Sequence, residues 1–145
     1  SDTISNPTDD NTKKIELHEI KSNIAEKWTE RWAGICQLGK KDGFNVIITL
    51  QPILGSGNKP LSSFEKYFLE TDKEIPETLI VLDELALSLK NLENDCNNVY
   101  DLREIFDTTD SPVFWDNVHT NDYGNYIIAK NLFELSTPII ANDLE

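Results

Sequence analysis

The chain has 145 residues, 39% of them apolar, with six glycines and six prolines, which is one domain's length and enough apolar side chain for a core. Thirteen basic residues against twenty-six acidic ones leave a formal net charge of −13, which repels phosphate backbones and anionic lipid heads and argues against nucleic acid and membrane surface as partners. No apolar run reaches the length of a membrane span, and no basic-then-apolar leader opens the chain.

Residues 1–14 are polar, carry Asn6-Pro7 and Asp9-Asp10-Asn11, and read as a flexible tail or a nicked loop. The chain contains no Met, so residue 1 reads as the start of a processed or excised piece. From Ile15 the pattern changes. Ile20, Ile24, Trp28, Trp32, Ile35 and Cys36 recur at three- and four-residue steps, which predicts an amphipathic helix closed by Gly39 and Lys40-Lys41. His18 falls at the beginning of this helix, with no functional partner evident. Cys36 and Cys96 share no metal-ligand spacing, and Cys36 lies in the apolar stripe, so two buried free thiols are expected and neither a metal nor a cofactor is implied. Two cysteines do not fix the compartment; a soluble, secreted protein is the favoured expectation.

Asp42-Gly43 is a turn, and Phe44 to Gln51 is a β-branched apolar run that ends at Pro52. Such a run reads as a strand buried on both faces of a parallel sheet, and ligands of open α/β sheets bind beyond the carboxyl ends of the strands. Gln51 and Pro52 are therefore candidate substrate-binding residues, with the Gly55-Ser56-Gly57-Asn58 loop beside them. Ser56 is weighed as a nucleophile, but its glycines are adjacent to it where a nucleophile elbow places them two positions away. Ser62 and Glu65 form a capping box for a short helix through Phe68 and Leu69. A longer helix follows, with Pro76 in its first turn and Leu79, Leu82, Leu85, Ala86, Leu89 and Leu92 on one face. Val99 to Leu102 is a brief strand, Arg103 to Pro112 an acidic connection, and residues 142–145 a polar tail. The order helix, strand, helix, helix, strand, helix predicts an α/β class with a parallel sheet and right-handed crossovers.

The most informative stretch is Trp115-Asp116-Asn117-Val118-His119-Thr120-Asn121-Asp122-Tyr123-Gly124-Asn125. Asp116 stands three positions before His119 in turn-forming sequence, where its carboxylate can return to the imidazole, fix the tautomer and stabilise the imidazolium. Thr120-Asn121-Asp122 is a helix N-cap cluster, followed by Ile127, Ile128, Ala129, Leu132 and Leu135 as an apolar stripe. A metal site of Asp116, His119 and Asp122 is the other chemistry these residues could support, although Asp122 is better explained as a helix-start acid.

Asp116-Asn117-Val118-His119 with Asn121 and Gly124-Asn125 resembles the last conserved block of the SGNH (GDSL-type) hydrolases. The resemblance implies a three-layer, flavodoxin-like parallel sheet, present here as its C-terminal part over 15–141. It implies a serine esterase in which Asp116 is the orienting acid and His119 the general base of the catalytic triad. The substrate would be a small ester, of which an acylated carbohydrate is one form. The family's Gly-Asp-Ser and Gly-x-Asn-Asp blocks are missing, so the chain alone is expected to be nearly inert. An N-terminal fragment or partner chain would supply the serine and complete the sheet. The alternative is a non-catalytic binding or assembly module that keeps such a fold without its chemistry.

Overall fold

A computed structural model describes residues 7–143. Its elements are helix α1 (Pro7–Asp42), strand β1 (Ile47–Leu50), helices α2 (Ser63–Thr71) and α3 (Ile75–Leu92), strand β2 (Asn98–Asp101) and helix α4 (Asp122–Asp143). The order of elements is the one read from the sequence. The architecture is not. Among the described residues the sheet has two strands, β1 and β2, paired in parallel with Ile47 opposite Asn98 and Leu50 opposite Asp101.

A flavodoxin-like sheet needs further parallel strands beside this pair, with helices over both faces. Among the described residues two short segments adopt strand geometry, and four helices hold most of the rest. The three-layer fold and the membership in the SGNH hydrolases that implied it are therefore both corrected. None of these helices is long and apolar enough to cross a membrane.

The boundaries have local causes. α1 runs through Gly39 and ends at Gly43, whose positive φ of 80° lets the chain turn while the amides of Gly43 and Phe44 cap the Gly39 carbonyl at 2.8 and 3.0 Å. Gly39 serves a different purpose, since a Cβ there would stand 2.7 Å from the Phe44 carbonyl oxygen where the chain folds back. The helix includes residues 7–14, which had read as tail; residues 1–6 and 144–145 lie outside the described part. In α2, the Ser62 hydroxyl accepts the Glu65 amide and the Glu65 carboxylate accepts the Ser62 amide, the reciprocal box expected.

Two apolar clusters result. In the first, Ile48, Leu50 and Ile53 pack against Cys36 of α1 and Leu82, Leu89 and Leu92 of α3, with Trp28 and Trp32 at its margin. The alternation of half-buried Ile47 and Thr49 with buried Ile48 and Leu50 shows that one face of β1 takes most of this packing. The second cluster lies past the strand ends, where Leu54, Ile75, Phe106, Val113 and Phe114 meet Ile127 and Ile128 of α4.

The cysteines are not free thiols: Cys36 and Cys96 form a disulfide that closes a sequence separation of 60 and ties α1 to the turn before β2. Spacing alone could not show it, because the pairing depends on α1 lying along α3. Closing a loop of that length removes entropy from the unfolded chain worth roughly 4 kcal/mol. Replacing both cysteines by serine should lower the unfolding free energy by about that amount, read as a lower urea midpoint with a steeper slope, because the unfolded chain released from the loop exposes more surface.

The only fully buried carboxylate among the described residues is Glu65, at 0% exposure. Its Oε2 accepts Lys59 Nζ at 3.0 Å and the Ser62 amide at 2.9 Å, while Oε1 accepts the Val113 and Phe114 amides at 2.9 and 3.3 Å. Burial by itself would push its pKa up; the amides of Val113 and Ser62 and then the Lys59 ammonium outweigh it and hold the carboxyl below its ordinary value. A depressed folded pKa means stability that is complete above the unfolded value and lost as pH falls through the folded one. Glu65→Ala, which strands Lys59 and the three amides of Ser62, Val113 and Phe114, should cost about 3–5 kcal/mol at neutral pH. That deficit should shrink in acid, as denaturant titrations of both forms across the carboxylate range would show.

Candidate functional site

The Asp/His loop is built on the segment that Glu65 fixes. Beyond Phe114 the chain makes a narrow turn in which the Trp115 amide donates to the His119 carbonyl at 2.8 Å and Phe114 bridges Thr120 in antiparallel fashion. The Asn121 amide returns to the Val113 carbonyl at 2.8 Å, and its side chain donates to the Pro112 carbonyl while accepting the Gly124 amide at 2.9 Å. Asn121 is thus both the clamp on the turn and the side-chain cap of α4. Gly124 is required by proximity: a Cβ would lie 2.6 Å from the Val113 carbonyl oxygen and 2.9 Å from Thr120 Cβ. The Leu54 amide donates to the Asn117 carbonyl at 2.9 Å, which holds the turn beside the chain leaving β1.

Within this frame the expected pair forms. His119 Nδ1 lies 2.7 Å from Asp116 Oδ2, and Asp116 Oδ1 accepts the amides of Val118 and His119 at 2.9 and 2.7 Å. The His119 amide first, then that of Val118 and the imidazole, lower the Asp116 pKa from 3.8 to about 2, against a smaller opposing effect of burial. The Asp116 side chain is 37% exposed and that of His119 76% exposed, so the pair stands on the surface. Among the described residues no group hydrogen-bonds His119 Nε2.

The other candidates do not join it in a pocket. Gln51 is exposed and Pro52 is buried beyond the end of β1. Cavities of about 290, 130 and 410 Å³ are lined by neither of them, nor by Asp116 or His119. The Ser56 hydroxyl accepts the Ile53 amide at 3.0 Å and donates to the Arg103 carbonyl at 3.3 Å, so it ties the loop after β1 to the loop after β2. Arg103 completes that junction. Its guanidinium holds Asp101 at the end of β2 and reaches Asp83 of α3 at 2.7 Å. His18 sits exposed on α1. The sequence reading found the capping box of Glu65 but missed its second pair of bonds, because a contact 48 residues away leaves no local signal.

No protein-family model, curated protein or solved structure matches the chain. A nucleophile-activating triad needs a hydroxyl or thiol within hydrogen-bond reach of the base. Here both cysteines are in the disulfide, and no serine meets His119 among the described residues. Those residues also contain no group of three or more His, Cys, Asp and Glu fit for a metal ion. The esterase assignment, with its hydrolase, lipase-like and catalytic-triad descriptions, is therefore withdrawn.

Asp116 does measurable structural work in the turn. Because its folded pKa is depressed, its contribution is present above 3.8 and lost as pH falls toward about 2. Asp116→Ala should leave the global fold in place and raise hydrogen exchange at the Val118 and His119 amides by about tenfold or more, the loss of a charge-assisted bond. Wild-type protein taken below pH 2 should reproduce that local loosening, measured by amide exchange NMR.

Proposed function

We propose that this chain is a non-catalytic assembly module, completed by a second polypeptide that adds an extended strand along the free side of β1 and covers the outer face of α4. The observation that carries the reading is the unpaired edge. β1 has one strand neighbour, and among the described residues no hydrogen bond reaches Ile47–Leu50 from any element other than β2 and the residue that follows it. Edge strands that must stay single are guarded by charge, proline or a bulge, and Ile47-Ile48-Thr49-Leu50 has none of the three. An extended segment adding to such an edge gains main-chain hydrogen bonds, the recognition mode of β-augmentation.

α4 supports the same reading. Gly124, Ile128, Asn131, Leu135 and Ile139 share its inner side, and all are buried or half-buried. On the opposite side Tyr126, Phe133 and Ile140, spaced two helical turns apart, are 63%, 69% and 56% exposed. A helix that is apolar on opposed faces belongs inside an assembly. Exposed aromatic residues are also enriched at interface centres, and here the exposed Lys130–Glu134 pair stands beside Phe133 as a polar rim.

The loop leading into α4 accepts the Leu54 amide at Asn117, beyond β1, and the last residue of α4, Asp143, accepts from Asn45, ahead of β1. One partner can therefore engage both surfaces. The net charge of −13 selects a partner of basic character and opposes a second copy of this chain. A structural disulfide fits an oxidising, extracellular setting for the complex.

Phe133→Glu places a charge in the middle of the exposed face without disturbing the core, so its stability should stay within about 0.5 kcal/mol of the parent. The wild-type chain isolated from its source should carry a basic polypeptide in fixed ratio in native mass spectrometry, and Phe133→Glu should lose it. Alone, the wild-type chain should light the neutral dye Nile red and the variant should do so severalfold less. A solitary 16.5 kDa monomer that leaves the dye dark and keeps β1 amides protected would overturn the proposal.

A further inference from the structure

The Asp/His loop carries a chemistry independent of that surface. We propose that His119 is a phosphoryl-acceptor site, its Nε2 taking the phosphoryl group from a phosphoramidate donor and holding it as an N-phosphoryl imidazole. The geometry provides what an imidazole needs to act as a nucleophile. With Nδ1 at 2.7 Å from Asp116 Oδ2, the proton of the neutral ring sits on Nδ1 and the free lone pair on Nε2. The carboxylate cannot swing away, because its other oxygen is held by the amides of Val118 and His119. Its negative charge also steadies the ring as positive charge develops during attack.

Access points to the same chemistry. The His119 side chain is 76% exposed, and it lines none of the three cavities described above. Such a ring cannot enclose a small substrate, but it can enter the donor site of another macromolecule. The net charge of −13 discourages free dianionic donors and favours delivery from a positively charged surface. In the transfer, the Nε2 lone pair forms the new N–P bond while the donor's P–N bond breaks. The departing nitrogen leaves with the bonding pair and takes a proton from solvent. The proton stays on Nδ1, hydrogen-bonded to the Asp116 carboxylate, and nothing is oxidised or reduced.

The sequence supplies its own control, since it has two histidines and the other, His18, is exposed on α1 and has no carboxylate bonded to its ring among the described residues. The probe is potassium phosphoramidate, with site occupancy followed by mass spectrometry and the isomer by phosphorus NMR. His119 should be phosphorylated at least about tenfold faster than His18, a modest share of what an oriented acid-base partner supplies. The product at His119 should be the Nε2 isomer alone. Asp116→Asn retains an acceptor for the two amides, and should slow His119 about tenfold and admit the Nδ1 isomer, with His18 unchanged.

His18→Gln, which leaves one acceptor, should keep the His119 rate and isomer. Equal rates at the two histidines, an Nδ1 product in the wild type, or indifference to Asp116→Asn would each overturn the assignment. Circular dichroism of Asp116→Asn separates a lost partner from a lost fold, and the Nε2-only product of the wild type tests the proposal without any variant.

Discussion

The Glu65 carboxylate is the constraint from which the rest of the structure follows. It joins by hydrogen bonds three pieces of chain that also meet in the second apolar cluster: the Lys59 loop after β1, the first turn of α2, and the Val113–Phe114 segment. Burying a carboxylate costs several kcal/mol unless its lone pairs are filled. Here four donors fill them, so the arrangement is favourable only when all three pieces are in register. That makes Glu65 a device for specificity. An apolar residue in its place could improve packing and would leave the Val113 and Phe114 amides unpaired.

Consequences run outward from there. Once Val113 is fixed, its carbonyl receives the Asn121 amide and comes close to Gly124, which sets where α4 begins. Ile127 and Ile128 then fall onto Phe106 and Phe114, whose rings meet edge to face at 5.4 Å. The first turn of α4 is thereby determined, and the remainder is held by half-buried contacts and the bond that Asn45 donates to Asp143. The disulfide performs the equivalent task at the opposite end of the strands, where Cys96 brings the entry of β2 against α1. Between these two fixed ends lies a sheet too narrow to cover itself. Two parallel strands bury little surface by themselves, and the helices supply most of what is buried.

The sequence made some of this legible and hid the rest for physical reasons. Leu82, Leu89 and Leu92 show helical periodicity because one side of α3 faces the core it shares with α1 and β1, and they are buried as that pattern requires. The same rule overstates α4. Leu132 belongs to the stripe expected in the core and is 37% exposed, because the helix is apolar around most of its circumference and periodicity cannot choose a side. It overstates α1 as well, where Ile20 and Ile24 are exposed and Ala25 is buried. The run Phe44 to Gln51 looked like a central strand of a wide sheet. It is one of two, and its apolar character reflects cover by α1 and α3 on one face. Composition records that a strand is buried, and leaves open what buries it.

The Asp/His pair shows why a correctly read contact can still carry a mistaken family. Three residues of separation in a turn are enough to bring Asp116 to His119, whatever fold surrounds them, so the contact follows from local sequence alone. A hydrolase needs much more: a nucleophile, an oxyanion site and a sheet to align them, all of them nonlocal. Nor does the strength of the pair argue for catalysis. Asp116 owes its low pKa first to the His119 amide, a bond that shapes the turn, and the imidazole contributes later. The carboxylate therefore has a sufficient reason to be where it is before the ring is considered. What the turn leaves unexplained is the ring itself, held by one nitrogen and open at the other, and only chemistry arriving from outside the chain can use it.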